Sequence, residues 1–192
     1  MKATNELMDE HRVIERVLNL LENAANRLES GQPVRPEFFL AATDFIRGFA
    51  DGCHHQKEEG VLFIRMKEHG MQLDSGPLAV MLAEHELGRQ YTRALRSAAQ
   101  AMQTGDSSAE PRAIQSSRNY VALLRQHIQK EDHVLFPLAD QVIPVEQHEV
   151  VWEDFEHIEH VETGEGVHEK YLALANSLEE EMTALDTANP ER

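Results

Sequence analysis

Apolar residues recur at helical spacing along four long segments of this chain, and the same stripes carry histidine and glutamate where more apolar residues would be ordinary. The first stripe is His11, Ile14, Leu18, Leu21 and Ala25, which predicts a helix from Thr4 or Asn5, a suitable N-cap, to about Glu29. Residues 30–36 read as a loop, with Gly31 as the stop and Pro36 suited to the first turn of the next helix. The second stripe is Ile46, Ala50, His54, Glu58 and Leu62, with Phe45 and Phe49 beside it, ending near His69 and Gly70. After a loop to Pro77, the third runs Leu78, Met81, His85, Gly88, Thr92, Leu95 and Ala99, and residues 104–108 close it. Pro111 opens the fourth, which carries Tyr120, Leu124, His127, Glu131, Val134 or Leu135, and Leu138. No alternation of apolar and polar residues suggests a sheet. Four long amphipathic helices on short loops predict an all-α, up-down-up-down four-helix bundle over residues 1–143. From Pro144 the composition turns acidic. A helix over about 145–162, a break at Gly164-Glu165-Gly166 and a helix over 167–182 predict an extension, 144–192, packed on the outside of the bundle or against a second copy of the chain. Residues 186–192 read as frayed.

Two of the stripes contain the same decapeptide pattern. His54-His55-Gln56-Lys57-Glu58-Glu59-Gly60-Val61-Leu62-Phe63 returns 73 positions later as His127-Ile128-Gln129-Lys130-Glu131-Asp132-His133-Val134-Leu135-Phe136. A His and a Glu four residues apart stand one above the other on a helix. The helix before each motif adds one more inward His, His11 and His85. Two similar hairpins, packed about a pseudo-twofold axis, would bring four His and two Glu to the middle of the bundle. An imidazole and a carboxylate buried together are costly unless something binds them, and a metal ion takes up both the lone pair and the charge. The candidate metal ligands are therefore His11, His54, Glu58, His85, His127 and Glu131. If each ion takes two His, and both Glu bridge, each has four protein donors and keeps an open position, as a site that binds a small molecule does. Imidazole with carboxylate suits iron or manganese, with zinc as a further substitute.

His55 and Glu59 are also four apart, but the second copy has Ile128 and Asp132 there. The repeat selects His54 and Glu58 and leaves His55, Glu59 and Asp132 as neighbours or hydrogen-bond partners. Glu10, Glu84 and Glu86 read as solvated; His69, His133, His148, His157, His160 and His168 read as surface residues. Gly88 would leave room beside the ions, and Tyr120 would face the same interior. Charge narrows the partners: 18 Lys+Arg against 34 Asp+Glu give a net charge of −16, which disfavours nucleic acid and anionic membranes. No apolar run approaches a membrane span, and the N-terminus has no signal-peptide pattern. Cys53 is the single cysteine, which reads as a small core residue in a reducing, cytoplasmic setting.

The order His11, His54-x-x-x-Glu58, His85, His127-x-x-x-Glu131 resembles the bacterial hemerythrin-like, or HHE cation-binding, domains over about residues 3–142. The resemblance implies a non-haem di-iron centre, two Fe ions with an oxide or hydroxide bridge, inside a four-helix bundle. It implies binding or sensing of O2, NO or peroxide, with an oxidase- or peroxidase-type enzyme and iron storage or trafficking as alternatives. The chain departs from the oxygen-carrying hemerythrins, which have a fifth His four residues after the first on the third helix. Arg89 stands there. The last motif is also His127-x-x-x-Glu131 rather than a longer His-to-Asp spacing, and both departures favour a more symmetric, more open centre over oxygen storage.

Overall fold

The computed structural model describes residues 1–187, and the chain folds as a helical bundle with two further C-terminal helices. α1 is Lys2–Glu29. α2 spans 36–68: it is α-helical at Pro36–Phe45, widens into π-helical turns at Ile46–His55 and Glu58–Leu62, and is α-helical again at Phe63–Glu68. α3 is Gly76–Gln103. α4 spans 109–142: it is α-helical at Ala109–Lys130 and Phe136–Val142 on either side of a π-turn at Glu131–Leu135. The extension contributes α5, His148–His157 with a π-turn at Ile158–Gly164, and α6, Val167–Thr187. The first helix begins two or three residues before the reading from sequence. The Thr4 hydroxyl, the N-cap candidate, instead lies 2.9 Å from both the Met1 carbonyl oxygen and an Asp140 carboxylate oxygen, either of which can accept its proton. Of the segment expected to fray, Asp186 is helical and pairs with Arg27 at 2.8 Å, while 188–192 lie outside the described residues.

α3 packs most extensively on α4, α4 on α1 and α2 on α3; the seam between α1 and α2 is the loosest of the four, and α5 and α6 lie along it. Close approach there needs a small residue. A Cβ on Gly48 would stand 1.8 Å from the Tyr171 ring of α6, so the bare backbone is the seat of that ring. Ala175, Leu178 and Met182 of α6 are buried against the bundle. The acidic character of the extension has a local use, since its carboxylates meet bundle cations: Glu181 with Arg35, Glu179 with Arg16 and Asp154 with Arg65.

The apolar interior comes in two parts. One part gathers Ile14 to Leu28 of α1, Phe38 to Ala50 of α2, Leu95 to Ala99 of α3 and Ala113 to Ile128 of α4. The other gathers Ala3 and Leu7, Leu62 to Met66, Leu78 and Met81, and Leu135 to Ile143, with Val151 and Phe155 of the extension. Between them, at one level of all four helices, lies a buried layer of His and Glu. Among the described residues no helix is long and apolar enough to cross a membrane.

Candidate metal centre

The polar layer is built by the two repeated motifs and the two histidines that precede them. His11, His54, Glu58, His85, His127 and Glu131 are each no more than 1 % exposed. His11 Nε2 stands 3.2 Å from one oxygen of Glu131, and His127 Nε2 3.0 Å from the other. His54 Nε2 stands 3.6 Å and His85 Nε2 3.4 Å from the two oxygens of Glu58. Each glutamate thus lies between imidazoles of different helices. Two candidate metal-binding groups result: His11, His54, Glu58 and Glu131, and His55, Glu58, His85 and His127, each with donor atoms within 4.8 Å of one another.

The hydrogen bonding supports a cation here. Neither carboxylate has a hydrogen bond of acceptable geometry on either oxygen, and His11 Nε2 has none. Buried carboxylate oxygens without partners are costly, and a bound ion removes that cost. His85 Nε2 and His127 Nε2 face each other at 3.0 Å. Two imidazole nitrogens bound to one ion at about 2.1 Å and at right angles would stand about 3.0 Å apart. The donor set therefore fits first-row metal ions in its chemistry and its spacing.

The outward nitrogens each face a carboxylate. Nδ1 of His11 meets Asp132 at 2.6 Å, Nδ1 of His54 meets Glu10 at 2.9 Å, Nδ1 of His85 meets Glu59 at 2.6 Å and Nδ1 of His127 meets Glu84 at 2.9 Å. With Nδ1–H donating outward, a neutral ring turns its Nε2 lone pair to the centre, the usual way a metal-binding imidazole is oriented. These supports keep the twofold. Glu10 and Glu84 serve the motif histidine of their own hairpin, while Glu59 and Asp132 cross to the first histidine of the other. Lys57 binds Glu10 at 2.8 Å, and Lys130 binds Glu84. Phe136 stacks on His11 and Phe63 on His85. Solvation of Glu10 and Glu84, expected from sequence, is corrected here: both stand against imidazoles, because the residue preceding an inward His turns toward the adjacent motif helix. Their repeated place, one before His11 and one before His85, with a Lys three after each motif His, was the signal.

Electrostatics follow from this crowding. Burial alone would push the pKa of His11 down, but the Asp132 and Glu131 carboxylates outweigh it and raise it to about 9. For His85 burial is likewise outweighed, by Glu131, Glu58 and Glu59, and its pKa rises to about 11. Burial works against the charge of Glu10 too, yet His54 and Lys57 hold its pKa down at about 2. Lys57 is itself fully buried, bonded to Glu6 at 2.5 Å and to Glu159 of the extension at 2.6 Å besides Glu10. Its ammonium supplies the cation for a second acidic group, Glu10 and Glu159 with Cys53 and His168 nearby. His168, expected at the surface, is partly buried with its ring against Phe49 at 5.0 Å.

A cavity of about 170 Å³ on the α2–α3 side touches the layer at His55, with Arg47, Asp51, Gly88, Arg89 and Tyr120 among its other lining residues. The Tyr120 hydroxyl is buried without a hydrogen-bond partner, and burial raises its pKa, so it stays a neutral phenol. A Cβ on Gly88 would meet Tyr120 and Leu124 at 3.6 Å, an ordinary contact, so this glycine widens the cavity without being required by its neighbours.

With this geometry in place, the family profile described as hemerythrin HHE cation binding domain matches residues 2–139, most of the chain. The chain belongs to the hemerythrin HHE cation-binding family. Uncharacterized protein Rv1995 of Mycobacterium tuberculosis (strain ATCC 25618 / H37Rv) is 26% identical over 184 residues, 96% of this chain and 71% of its own length. Uncharacterized protein Mb2018 of Mycobacterium bovis (strain ATCC BAA-935 / AF2122/97) shows the same identity and coverage. No solved structure matches the chain with significance. The hemerythrin HHE domain accounts for α1 to α4, and the relatives' alignment extends across nearly the whole chain, the α5–α6 extension included.

Proposed function

We propose that His11, His54, Glu58, His85, His127 and Glu131 hold two iron ions, with Glu58 and Glu131 shared between them, and that the protein binds or senses a small diatomic or peroxide ligand: O2, NO or H2O2. The observation that carries this reading is the set of four buried carboxylate oxygens that face four inward imidazoles without a hydrogen bond of acceptable geometry, with a cavity against one flank. A bound pair of iron ions supplies Lewis acidity and one-electron redox change at a position the protein donors do not fill. The chain's own residues supply the rest. Glu10, Glu59, Glu84 and Asp132 fix the four rings, the two apolar clusters exclude bulk water above and below, and the cavity admits only small molecules. Protein purified without added metal should contain two irons per chain, with absorption bands under air that change on adding NO or peroxide. Iron-loaded protein inert to all three ligands would sink the reading.

A second reading is favoured by Tyr120. A neutral phenol with no partner, at the wall of a cavity beside the centre, can donate a hydrogen bond or an electron to a substrate, as a di-iron oxidase or peroxidase would use it. Multiple-turnover consumption of peroxide or O2 with a reductant, lost in Tyr120→Phe, separates an enzyme from a binder.

A further inference from the structure

Arginine is matched to acid almost everywhere on this chain, which has 34 Asp+Glu against 18 Lys+Arg. Among the described residues, every arginine except Arg47 has a carboxylate within ion-pair distance. Arg47 is exposed, and it stands in the wall of the cavity between α2 and α3, at its mouth. On the enclosed side the Tyr120 side chain is 1 % exposed, and its hydroxyl has no hydrogen-bond partner. Asp51, another wall residue, is the charge that adds to burial in raising the phenol pKa, so the hydroxyl lies on the cavity side of the ring. The other charges of the wall are already matched, Asp51 with Arg89 at 2.7 Å and Arg93 with Glu86 at 2.9 Å. Ile46 and the bare Gly88 contribute apolar wall, and the Thr92 hydroxyl is engaged at the Gly88 carbonyl at 2.9 Å. The volume of about 170 Å³ is that of a single ring, since a cavity of about 150 Å³ takes up benzene.

We propose that this cavity is a binding site for a small organic monoanion, a one-ring monocarboxylate whose carboxylate pairs with Arg47 at the mouth and whose far end carries an oxygen that meets the Tyr120 hydroxyl. The planar fork of an arginine takes a carboxylate through two parallel hydrogen bonds. A single uncommitted cation on a chain of net charge −16 suits one negative charge better than two. The buried phenol, which has no partner in the protein, gains one from the ligand, and the apolar wall between the two polar ends takes the ring. His55 belongs to both the cavity wall and the polar layer, so the occupant lies against the centre. The site uses no metal and stands independently of the two-ion reading.

The test is isothermal titration calorimetry of the full chain, as purified and after treatment with a chelator, using 4-hydroxybenzoate, benzoate and the uncharged 4-methylphenol. One equivalent of 4-hydroxybenzoate should bind, with the same affinity in both preparations. Arg47→Gln changes an exposed side chain and should weaken both carboxylates at least about tenfold, the worth of a charge-assisted hydrogen bond, while leaving 4-methylphenol unchanged. Tyr120→Phe should weaken 4-hydroxybenzoate by about three- to tenfold and leave benzoate unchanged. Gly88→Ala, whose Cβ meets its neighbours at an ordinary 3.6 Å, keeps the helix, narrows the cavity and should weaken all three. Absence of saturable binding up to millimolar ligand would overturn the proposal, as would binding that Arg47→Gln and Gly88→Ala leave unchanged. Inorganic phosphate or chloride binding with equal, Arg47-dependent affinity would overturn it too, by reducing the site to a surface cation. Binding that requires iron would make the carboxylate an iron ligand and overturn the cavity site. Intact carboxylate binding in a chain that takes up no iron would uphold the cavity site and strike the two-ion reading alone.

Discussion

At the scale of single residues, the shared glutamates and their neighbours should respond differently to truncation. Glu131 lies between His11 and His127 with no hydrogen bond of acceptable geometry on either oxygen, whereas Glu59 touches only the outer nitrogen of His85 and is also bonded to Arg89. Glu131→Ala should therefore lose at least one of two ions, measured as iron per chain. Glu59→Ala should keep both, with affinity lower by about 10- to 100-fold. The reverse outcome would mean that the motif is used one residue out of register. Protons give a second handle. In the metal-free chain the pKa values of His11 and His85 are raised to about 9 and about 11, against about 6.5 for an unfolded His. A raised pKa contributes stability that is fully present below the unfolded value and lost as pH rises through the folded one. Calorimetry of the metal-free chain should show its melting temperature falling from about pH 6.5 upward, through about pH 9 and beyond. Iron affinity should move the other way, because each bound imidazole must first give up its proton. A metal-free chain that gains stability over that range would contradict the carboxylate contacts of these rings.

At the scale of elements, the wide turns of α2 and α4 fall at both motifs, where π-turns often mark function. One glycine shows how tightly the first is wound. A Cβ on Gly52 would stand 2.9 Å from the Arg47 carbonyl oxygen, five residues back in the same turn, while a Cβ on Gly60 would meet only an Ile158 methyl at 3.9 Å. Gly→Ala in a helix ordinarily stabilises by about 0.5–1 kcal/mol. Gly60→Ala should do so, and Gly52→Ala should instead destabilise by about 1–3 kcal/mol, in urea denaturation of the two variants. The helices themselves were legible from the 3.6-residue stripes, because burial on one face writes its period into the chain. The π-turns were not, since an extra residue per turn leaves the His-to-Glu spacing unchanged. The six inward groups were legible because the motif is repeated. Glu10, Glu84 and Lys57 were misread or passed over because a charged residue next to a stripe looks solvated until its partner on another helix is known.

At the scale of the whole molecule, the His and Glu layer divides the apolar interior, so the bundle lacks a continuous core at its middle. Without a bound cation that level is held by ion pairs among buried groups, which stabilise little once desolvation is counted. Ions present at a thousandfold above their Kd would add about 4 kcal/mol to folding, roughly 10 °C for a chain of this size. Scanning calorimetry at neutral pH should show a difference of that order between loaded and metal-free protein; equal melting temperatures with iron bound would place the ions away from this layer. The crossed supports carry a consequence for synthesis. Asp132, which orients His11, is made more than a hundred residues after it, and Glu59 waits for His85. A nascent chain that has finished only its first hairpin offers His11, His54 and Glu58, with the His11 ring still free to turn. On the two-iron proposal, firm capture of an ion would wait until the second hairpin has emerged and closed on the first.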